Sequence, residues 1–386
     1  MKKIKYLFIS RVSSHYRYYR KLTKFLGDDA HLQKLKFFAF PRPSFFSQVN
    51  DLDLDDLVNV HVERKKVRHP ILNTNPILLG AITRYYRFIE KCRASYYFSY
   101  FSSHDIDTVI VWNGMKQPNK TPYEVAKACG IKTQLFENGL LPNTTVLDPK
   151  GVNALNSMPR DANFYLNWDS GSTEKSELSS NLVKRAPHKN RKSDDAQVTL
   201  PERFIFVPFQ VPNDTQIVCH SPWIKSMEAF YEELEKAVNF MDSDVKFVVK
   251  EHPSWPRSFV DLHHKNPQII FANNNETSSL IQESEAVLTI NSTVGIEALL
   301  LNKKVITLGN TFLNIQGLVK HCESSKELAD AITELKTWNF DPILRVQFLD
   351  YLANEYLIKQ SWNNLSNEQA HFSEVKTRLE NPYQVD

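Results

Sequence analysis

The sequence predicts an α/β protein made of two Rossmann-like, doubly wound domains facing a cleft. Three observations carry this. Short apolar, β-rich runs alternate with helix-spaced segments through both halves, which implies parallel strand pairing. A polar stretch at about 168–200 interrupts the alternation once. At 386 residues the chain is too long for one ordinary domain and suits two.

The elements follow in order. Residues 6–10 form a strand and 16–26 have helical spacing. Residues 35–40 are a short apolar run. Residues 108–112, Thr-Val-Ile-Val-Trp, read as a buried strand. A helix over 123–129 ends at Gly130, and 132–136 is the next strand. The polar stretch then reads as a linker or mobile loop. Beyond it come strands at 204–207, 246–249, 269–271, 286–290 and 305–308. Helices are expected at 223–240, 278–283 and 296–301, and a helical tail over 325–365. The expected division is 1–168, a linker 169–200, 201–335, and C-terminal helices 336–386 crossing back onto the first domain.

Composition narrows the function classes. The net charge of +3 hides an asymmetry: residues 1–100 carry 19 Lys+Arg against 8 Asp+Glu, so +11, and the rest sum to −8. A basic first quarter suits an anionic partner. Cys92, Cys129, Cys219 and Cys322 form no C-x-x-C pair. That argues against zinc and a disulfide framework and fits a reducing cytosol. The apolar stretch at the N-terminus stops at Arg11, too short for a signal-peptide core. No segment approaches the roughly 18–20 apolar residues of a membrane span.

Four segments each follow a strand, at the carboxyl end where open α/β sheets bind ligands, and are expected to meet in one cleft with Asp214 and Glu137 on opposite walls. They are Phe136-Glu137-Asn138-Gly139, Gln210-Val211-Pro212-Asn213-Asp214, Lys250-Glu251-His252-Pro253 and Asn291-Ser292-Thr293-Val294-Gly295. The inventory suits cleavage of a phosphate ester and transfer of the released group. Ser292 and Thr293 stand at a helix start, whose hydroxyls and free N–H groups make an anion site. Plain capping by Ser292 is the equal alternative. Gly295 permits close approach, and Glu297 could accept bonds from ribose hydroxyls. Lys250 and His252, two residues apart on a strand, could clamp a phosphate, with His252 protonating the leaving group and Pro253 fixing its direction. Asp214 is either a helix cap or a nucleophile. Glu137 is an acid/base candidate, or the partner of Arg160 in a salt bridge, and Gly139 would permit an unusual backbone conformation. Asp51-Leu52-Asp53-Leu54-Asp55-Asp56 reads as a solvated helix start rather than a metal motif, and His263-His264 as exposed. The basic and aromatic run 84–101 reads as a packed helix with snorkelling arginines, some contacting membrane headgroups.

These segments, with Asp148-Pro149-Lys150-Gly151, Met158-Pro159-Arg160-Asp161 and Gly309-Asn310 through Gln316-Gly317-Leu318, resemble the bacterial capsule-polysaccharide biosynthesis family of β-Kdo transferases, including O-antigen-terminating ones. Six motifs in the family's order span about residues 108–320. The resemblance implies a GT-B arrangement and transfer of Kdo, an eight-carbon acidic sugar, from CMP-β-Kdo to a glycan or lipid acceptor. It implies that Lys250, His252, Pro253, Gln210, Asn291, Ser292, Thr293, Gly295 and Glu297 hold the donor. Asp214 would be the nucleophile and Glu137 the acid/base, with Arg160 a partner for the sugar carboxylate. The family's middle acidic residue is here Asn138. A one-phosphate donor needs no metal, so neither metal nor other cofactor is expected. A cytoplasmic protein is implied, with peripheral contact at the inner face of the inner membrane or with other polysaccharide-assembly proteins, and no nucleic acid. The alternatives are a CMP-sialic acid-dependent sialyltransferase, a teichoic-acid-type polyol-phosphate transferase, or a non-enzymatic glycan- or lipid-binding accessory protein.

Overall fold

The structure, a computed structural model, describes residues 3–168 and 196–383. The chain divides into two compact units: Met1–Ser157 with Leu357–Asp386, and Met158–Tyr356. Each is built on a six-stranded sheet.

Unit 1 contains β1 (Lys3–Ser10), β2 (Ala30–Lys34), β3 (Asp105–Trp112), β4 (Lys132–Asn138) and β5 (Thr144–Asp148). Unit 2 follows with β6 (Arg203–Pro208), β7 (Val245–Lys250), β8 (Ile269–Phe271), β9 (Ala286–Thr289), β10 (Lys304–Thr307) and β11 (Lys320–His321), before β12 (Ile358–Lys359) returns to unit 1.

The unit 1 sheet runs β12-β5-β4-β3-β1-β2. β1 to β4 are parallel, and β5 and β12 are antiparallel additions at one side. Tyr6, Phe8, Ile110 and Phe136 pack with Tyr18, Tyr19 and Leu22 of the helix Ser13–Leu26 and with Phe372 and Val375 of the helix Glu368–Glu380. The alternate residues Leu7, Ile9, Val109 and Val111 are buried as well. Both faces of the sheet are therefore covered, which is why these strands read as unbroken apolar runs.

The unit 2 sheet runs β11-β10-β9-β6-β7-β8, all parallel. Counted from β6 this is the doubly wound order 3-2-1-4-5-6, and the winding reverses between β6 and β9. In unit 1 the reversal lies between β1 and β3.

Several expectations are corrected. The second strand is Ala30–Lys34, and the apolar run 35–40 that follows it is not a strand: β1 ends at Ser10, which pairs with Lys34, so the ladder has no further partner. The Lys36 and Phe37 carbonyls instead accept from the Arg93 guanidinium. The helix expected over 223–240 runs Met227–Ala237, because Ser226 caps it by accepting from the Ala229 N–H at 3.1 Å. The tail is not one helical block. Helices Ser325–Thr333 and Pro342–Tyr351 belong to unit 2, and only the chain from Leu357 joins unit 1. Tyr165 packs on Phe348 at 5.2 Å and on Tyr351 at 5.5 Å, which holds residues 158–168 in unit 2 rather than in the first domain. The expected linker 169–200 lies, apart from 196–200, outside the described residues.

The segment 84–101 belongs to the helix Pro76–Ser102, but its arginines do not all snorkel. Arg93 is fully buried and ion-paired with buried Glu90 at 2.6 Å. Among the described residues no helix is long and apolar enough to cross a membrane.

Candidate active site

In unit 2 the carboxyl edge centres on the reversal point. β6 delivers Gln210 and β9 delivers Asn291, both buried. The Gln210 amide donates to Asn291 Oδ1 at 2.9 Å, and the Asn291 backbone N–H donates back to Gln210 Oε1 at 3.1 Å. Asn291 Nδ2 donates to the carbonyls of Gln216 at 2.8 Å and His220 at 3.1 Å. An amide group has two N–H bonds, and Asn291 spends both on the backbone. The pair expected to hold donor thus forms the frame that ties β6, β9 and the 216–220 segment together.

Asp214 stands on this frame, exposed, before the helix Thr215–His220. Its Oδ1 accepts the Gln216 N–H at 2.9 Å and lies 3.4 Å from the Thr215 hydroxyl. The cap reading is therefore realised. Both bonds fall on Oδ1, so capping does not use Oδ2.

β7 ends at Lys250. The pleat alternation that would have put Lys250 and His252 on one face therefore stops before His252. Lys250 Nζ donates to the Asn275 carbonyl. His252 is half-buried ahead of Pro253, and its Nδ1 accepts from the Ser254 N–H at 3.2 Å and the Ser254 hydroxyl at 2.8 Å. A ring nitrogen that accepts a backbone N–H carries no proton, so the neutral ring bears its hydrogen on Nε2. That is the tautomer able to donate to a phosphate oxygen. Glu251, by contrast, is structural. Its buried Oε1 accepts from Ser258 Oγ at 2.9 Å, the Phe259 N–H at 3.0 Å and His263 Nε2 at 2.9 Å. His263 is accordingly half-buried, its ring tilted against that of Phe271 at 4.2 Å, whereas His264 is exposed as expected.

The segment after β9 differs from the expected open anion site. The Val294 N–H donates to Ser292 Oγ at 3.2 Å, Gly295 N–H to the Ser292 carbonyl at 3.0 Å, and Ile296 N–H to the Thr293 carbonyl at 3.0 Å. The first-turn donors are taken internally, so Ser292 and Thr293 offer hydroxyls rather than free backbone N–H groups. A Cβ on Gly295 would sit 2.8 Å from Leu313 Cδ1, so this glycine serves packing against the 311–315 segment. Glu297 is buried in the first turn of the helix Val294–Leu300. Arg160 donates to the Met158 carbonyl and lies 6.0 Å over the Phe312 ring, in the segment that follows β10.

Unit 1 builds its carboxyl edge from β4, β3 and β1. Glu137 is half-buried near the end of β4. Its Oε2 accepts from the Asn113 amide and its Oε1 from the Asn138 N–H at 2.9 Å. Gly139 does not have a left-handed backbone. It is required because a Cβ there would collide with the Thr144 backbone. Asn138 Oδ1 accepts from the Trp362 indole at 2.8 Å. His15, in the first turn of the helix after β1, stacks on Trp112 at 3.8 Å and meets the edge of Trp362 at 4.9 Å. Burial, with Lys116 nearby, lowers the His15 pKa to about 4, so this ring is neutral at pH 7.

Sequence reasoning missed His15, Asn113 and the site role of Trp362. The signal for Asn113 was present: Asn-Gly directly after a strand marks left-handed backbone, and both residues have it, with φ of 66° and 69°. Nothing local marked Trp362, which arrives from the far end of the chain.

Other polar clusters are accounted for without chemistry. Asp53 caps the helix Leu54–Arg68 through the Asp56 N–H at 2.8 Å, and Asp56 pairs with Lys120 at 2.5 Å. The cavity bounded by Arg203, Phe240, Glu285 and Lys336 lies at the amino ends of β6, β7 and β9, away from this edge. Among the described residues no three His, Cys, Asp or Glu side chains gather as a metal site.

Capsule polysaccharide biosynthesis proteins match this chain over residues 107–199 and 174–351, more than half its length. The chain belongs to that family. The matched span takes in Glu137 and every residue of the unit 2 edge described above. Among similar family-scale relatives, Protein FixF of Sinorhizobium fredii is 39% identical over 80% of this chain and 75% of that protein. The capsule polysaccharide export protein KpsS of Escherichia coli is 26% identical over 56% of this chain and 70% of that protein. Among solved structures, a beta Kdo 2,7 transferase, KpsC of Thermosulfurimonas dismutans, shares 20% identity at a TM-score of 0.44, over 70% of this chain and 85% of that one.

Proposed function

We propose that the chain is a retaining glycosyltransferase that moves Kdo from CMP-β-Kdo to a glycan or lipid acceptor in capsule, O-antigen or lipopolysaccharide biosynthesis. The observation that carries the reading is the strand order in unit 2. β7, β6 and β9 are consecutive neighbours, so the chain after β7, with His252, and the chain after β9, with Ser292 and Thr293, flank the reversal point. Two strand spacings make this about 10 Å, a span suited to a phosphate at one end and a nucleoside at the other. Membership in the capsule polysaccharide family supports the sugar-transfer chemistry.

Retention from a β donor is explained by two inversions at the anomeric carbon. In the first, Asp214 Oδ2 forms a bond to that carbon while its bond to the CMP oxygen breaks. His252 Nε2–H and the Lys250 ammonium stabilise the departing phosphate. In the second, the acceptor oxygen attacks, a general base takes its proton, and the Asp214 carboxylate leaves; Glu137 is kept as the candidate acid/base. Arg160 is assigned to the sugar carboxylate. No step calls for a metal or further cofactor, and the reaction suits a cytoplasmic protein alongside other polysaccharide-assembly proteins.

The test is incubation with CMP-Kdo, CMP-sialic acid and CDP-glycerol separately, with glycan and lipid acceptors, following nucleotide release and product mass. Kdo-bearing product from CMP-Kdo alone supports the reading. Turnover only with CMP-sialic acid or CDP-glycerol replaces the donor. Release of no nucleotide from any of the three leaves an accessory binding protein.

A further inference from the structure

The helix Pro76–Ser102 is built in two unlike halves. All of its buried residues, from Glu90 to Phe101, lie in the C-terminal half. The N-terminal half buries none, yet it is rich in large apolar side chains. Ile77 is 85% exposed, Phe88 61% and Tyr85 50%. At 100° per residue Ile77, Arg84, Tyr85 and Phe88 fall within about 100° of arc, so they form one stripe. Exposed Leu78 borders it, and exposed Ile71 precedes it in the chain. Scattered exposed apolar residues are ordinary, but a continuous helical stripe of them marks a contact surface.

Charge selects the occupant. The helix carries Arg84, Arg87, Lys91 and Arg93 and a single carboxylate, Glu90, which is buried against Arg93. Arg87 is paired with Asp55. Arg84 stands exposed within the stripe itself. The helix Leu54–Arg68, packed alongside through the His61–Tyr86 stack at 4.4 Å, ends in Lys65, Lys66 and Arg68. The stripe-bearing helix therefore offers large apolar side chains with basic residues beside them and no exposed carboxylate, while the exposed Asp55 and Glu63 of the neighbouring helix are paired with Arg87 and Lys66. That is the pattern of a helix lying in a headgroup layer.

We infer that the N-terminal half of Pro76–Ser102 docks on an anionic lipid bilayer, with Ile77, Tyr85 and Phe88 entering the headgroup boundary and Arg84 meeting lipid phosphate. The inference goes beyond the transfer reading and does not depend on it. The test is co-sedimentation of the full chain with vesicles of phosphatidylcholine alone or of phosphatidylcholine with phosphatidylglycerol. Binding to the anionic vesicles is expected, weakened by salt. Ile77→Ser with Phe88→Ser should reduce it about tenfold or more, and Arg84→Glu should weaken binding to the anionic vesicles selectively. Both variants alter exposed positions, so their thermal midpoints should match the parent. Equal binding by parent and variants overturns the inference, as does failure of the parent to sediment with anionic vesicles. A dimer in solution that Ile77→Ser with Phe88→Ser splits overturns it too, because the stripe would then be a self-interface.

Discussion

The Asn113 side-chain amide donates to Glu137 Oε2, and Asn113 does so from a left-handed backbone with φ of 66°. Its own Oδ1 is fixed by the Met115 N–H at 3.1 Å, and its N–H bonds the Phe136 carbonyl at 2.7 Å. A non-glycine residue held in this region is strained and persists where its surroundings demand it. Asn113 thus acts as a positioning residue for the Glu137 carboxylate.

Asn113→Gly removes the amide while keeping the backbone accessible. If Glu137 is the acid/base of the proposed transfer, steady-state CMP release should show kcat reduced roughly 10- to 100-fold, with the donor KM and the thermal midpoint little changed. A fall in thermal midpoint with kcat intact would make the contact purely structural.

Asp214 separates two roles by substitution. Asparagine caps a helix about as well as aspartate, so Asp214→Asn should hold stability within about 0.5 kcal/mol. Alanine should cost about 1 kcal/mol. If Oδ2 is the nucleophile, both variants lose transfer, while CMP binding by calorimetry stays near the parent value. Parent-level turnover in Asp214→Asn would remove the covalent step.

The fold was legible because its strands are covered on both faces, leaving apolar runs such as Thr108 to Trp112 that are too short for a helix and rich in β-branched residues. β5, β11 and β12 were not legible: two of them are two-residue strands set by their partners rather than by their own composition. The site was legible as positions and less so as roles. Gln210 and Asn291 stand where a ligand contact is expected, yet their amides close on each other and on the backbone. That pairing joins residues 81 apart, and no local pattern encodes it. Asp214 and Ser292 each kept two readings because a cap and a reactive group ask for the same residue type at the same place.

The closed Gln210–Asn291 frame makes a stability prediction. Asn291→Ala removes a side-chain donor from the Gln216 carbonyl, leaves the His220 carbonyl to the Asn310 N–H, and leaves the buried Gln210 amide without its partner. The lost side-chain bonds and the unpaired Gln210 amide cost about 2–4 kcal/mol together. Denaturant unfolding should show that loss, whereas Thr293→Ala, at a half-buried hydroxyl, should stay within about 1 kcal/mol. Equal, small losses in both variants would mean that the frame is not a keystone of unit 2.

Acid should weaken unit 1 through two histidines. Burial, with Lys116 as a lesser cause, takes the His15 pKa down to about 4. Burial also lowers that of His371, whose Nδ1 lies 2.8 Å from the Lys359 carbonyl and whose Nε2 lies 2.8 Å from the Tyr18 hydroxyl. The His15 ring is thus neutral in the folded state at pH 7, and burial disfavours the charged form of His371 as well. In the unfolded chain they take up protons near the ordinary value of about 6.5. Between that value and the folded one the unfolded state binds more protons, so stability falls as pH falls. The contribution is complete above about pH 6.5 and should shrink steadily toward about pH 4. Urea midpoints followed from neutral to acid pH should trace this limb. His15→Phe keeps a ring against Trp112 but cannot take a proton, and should flatten the limb without lowering the neutral-pH unfolding free energy by more than about 1–2 kcal/mol. An unchanged limb in that variant would assign acid sensitivity elsewhere.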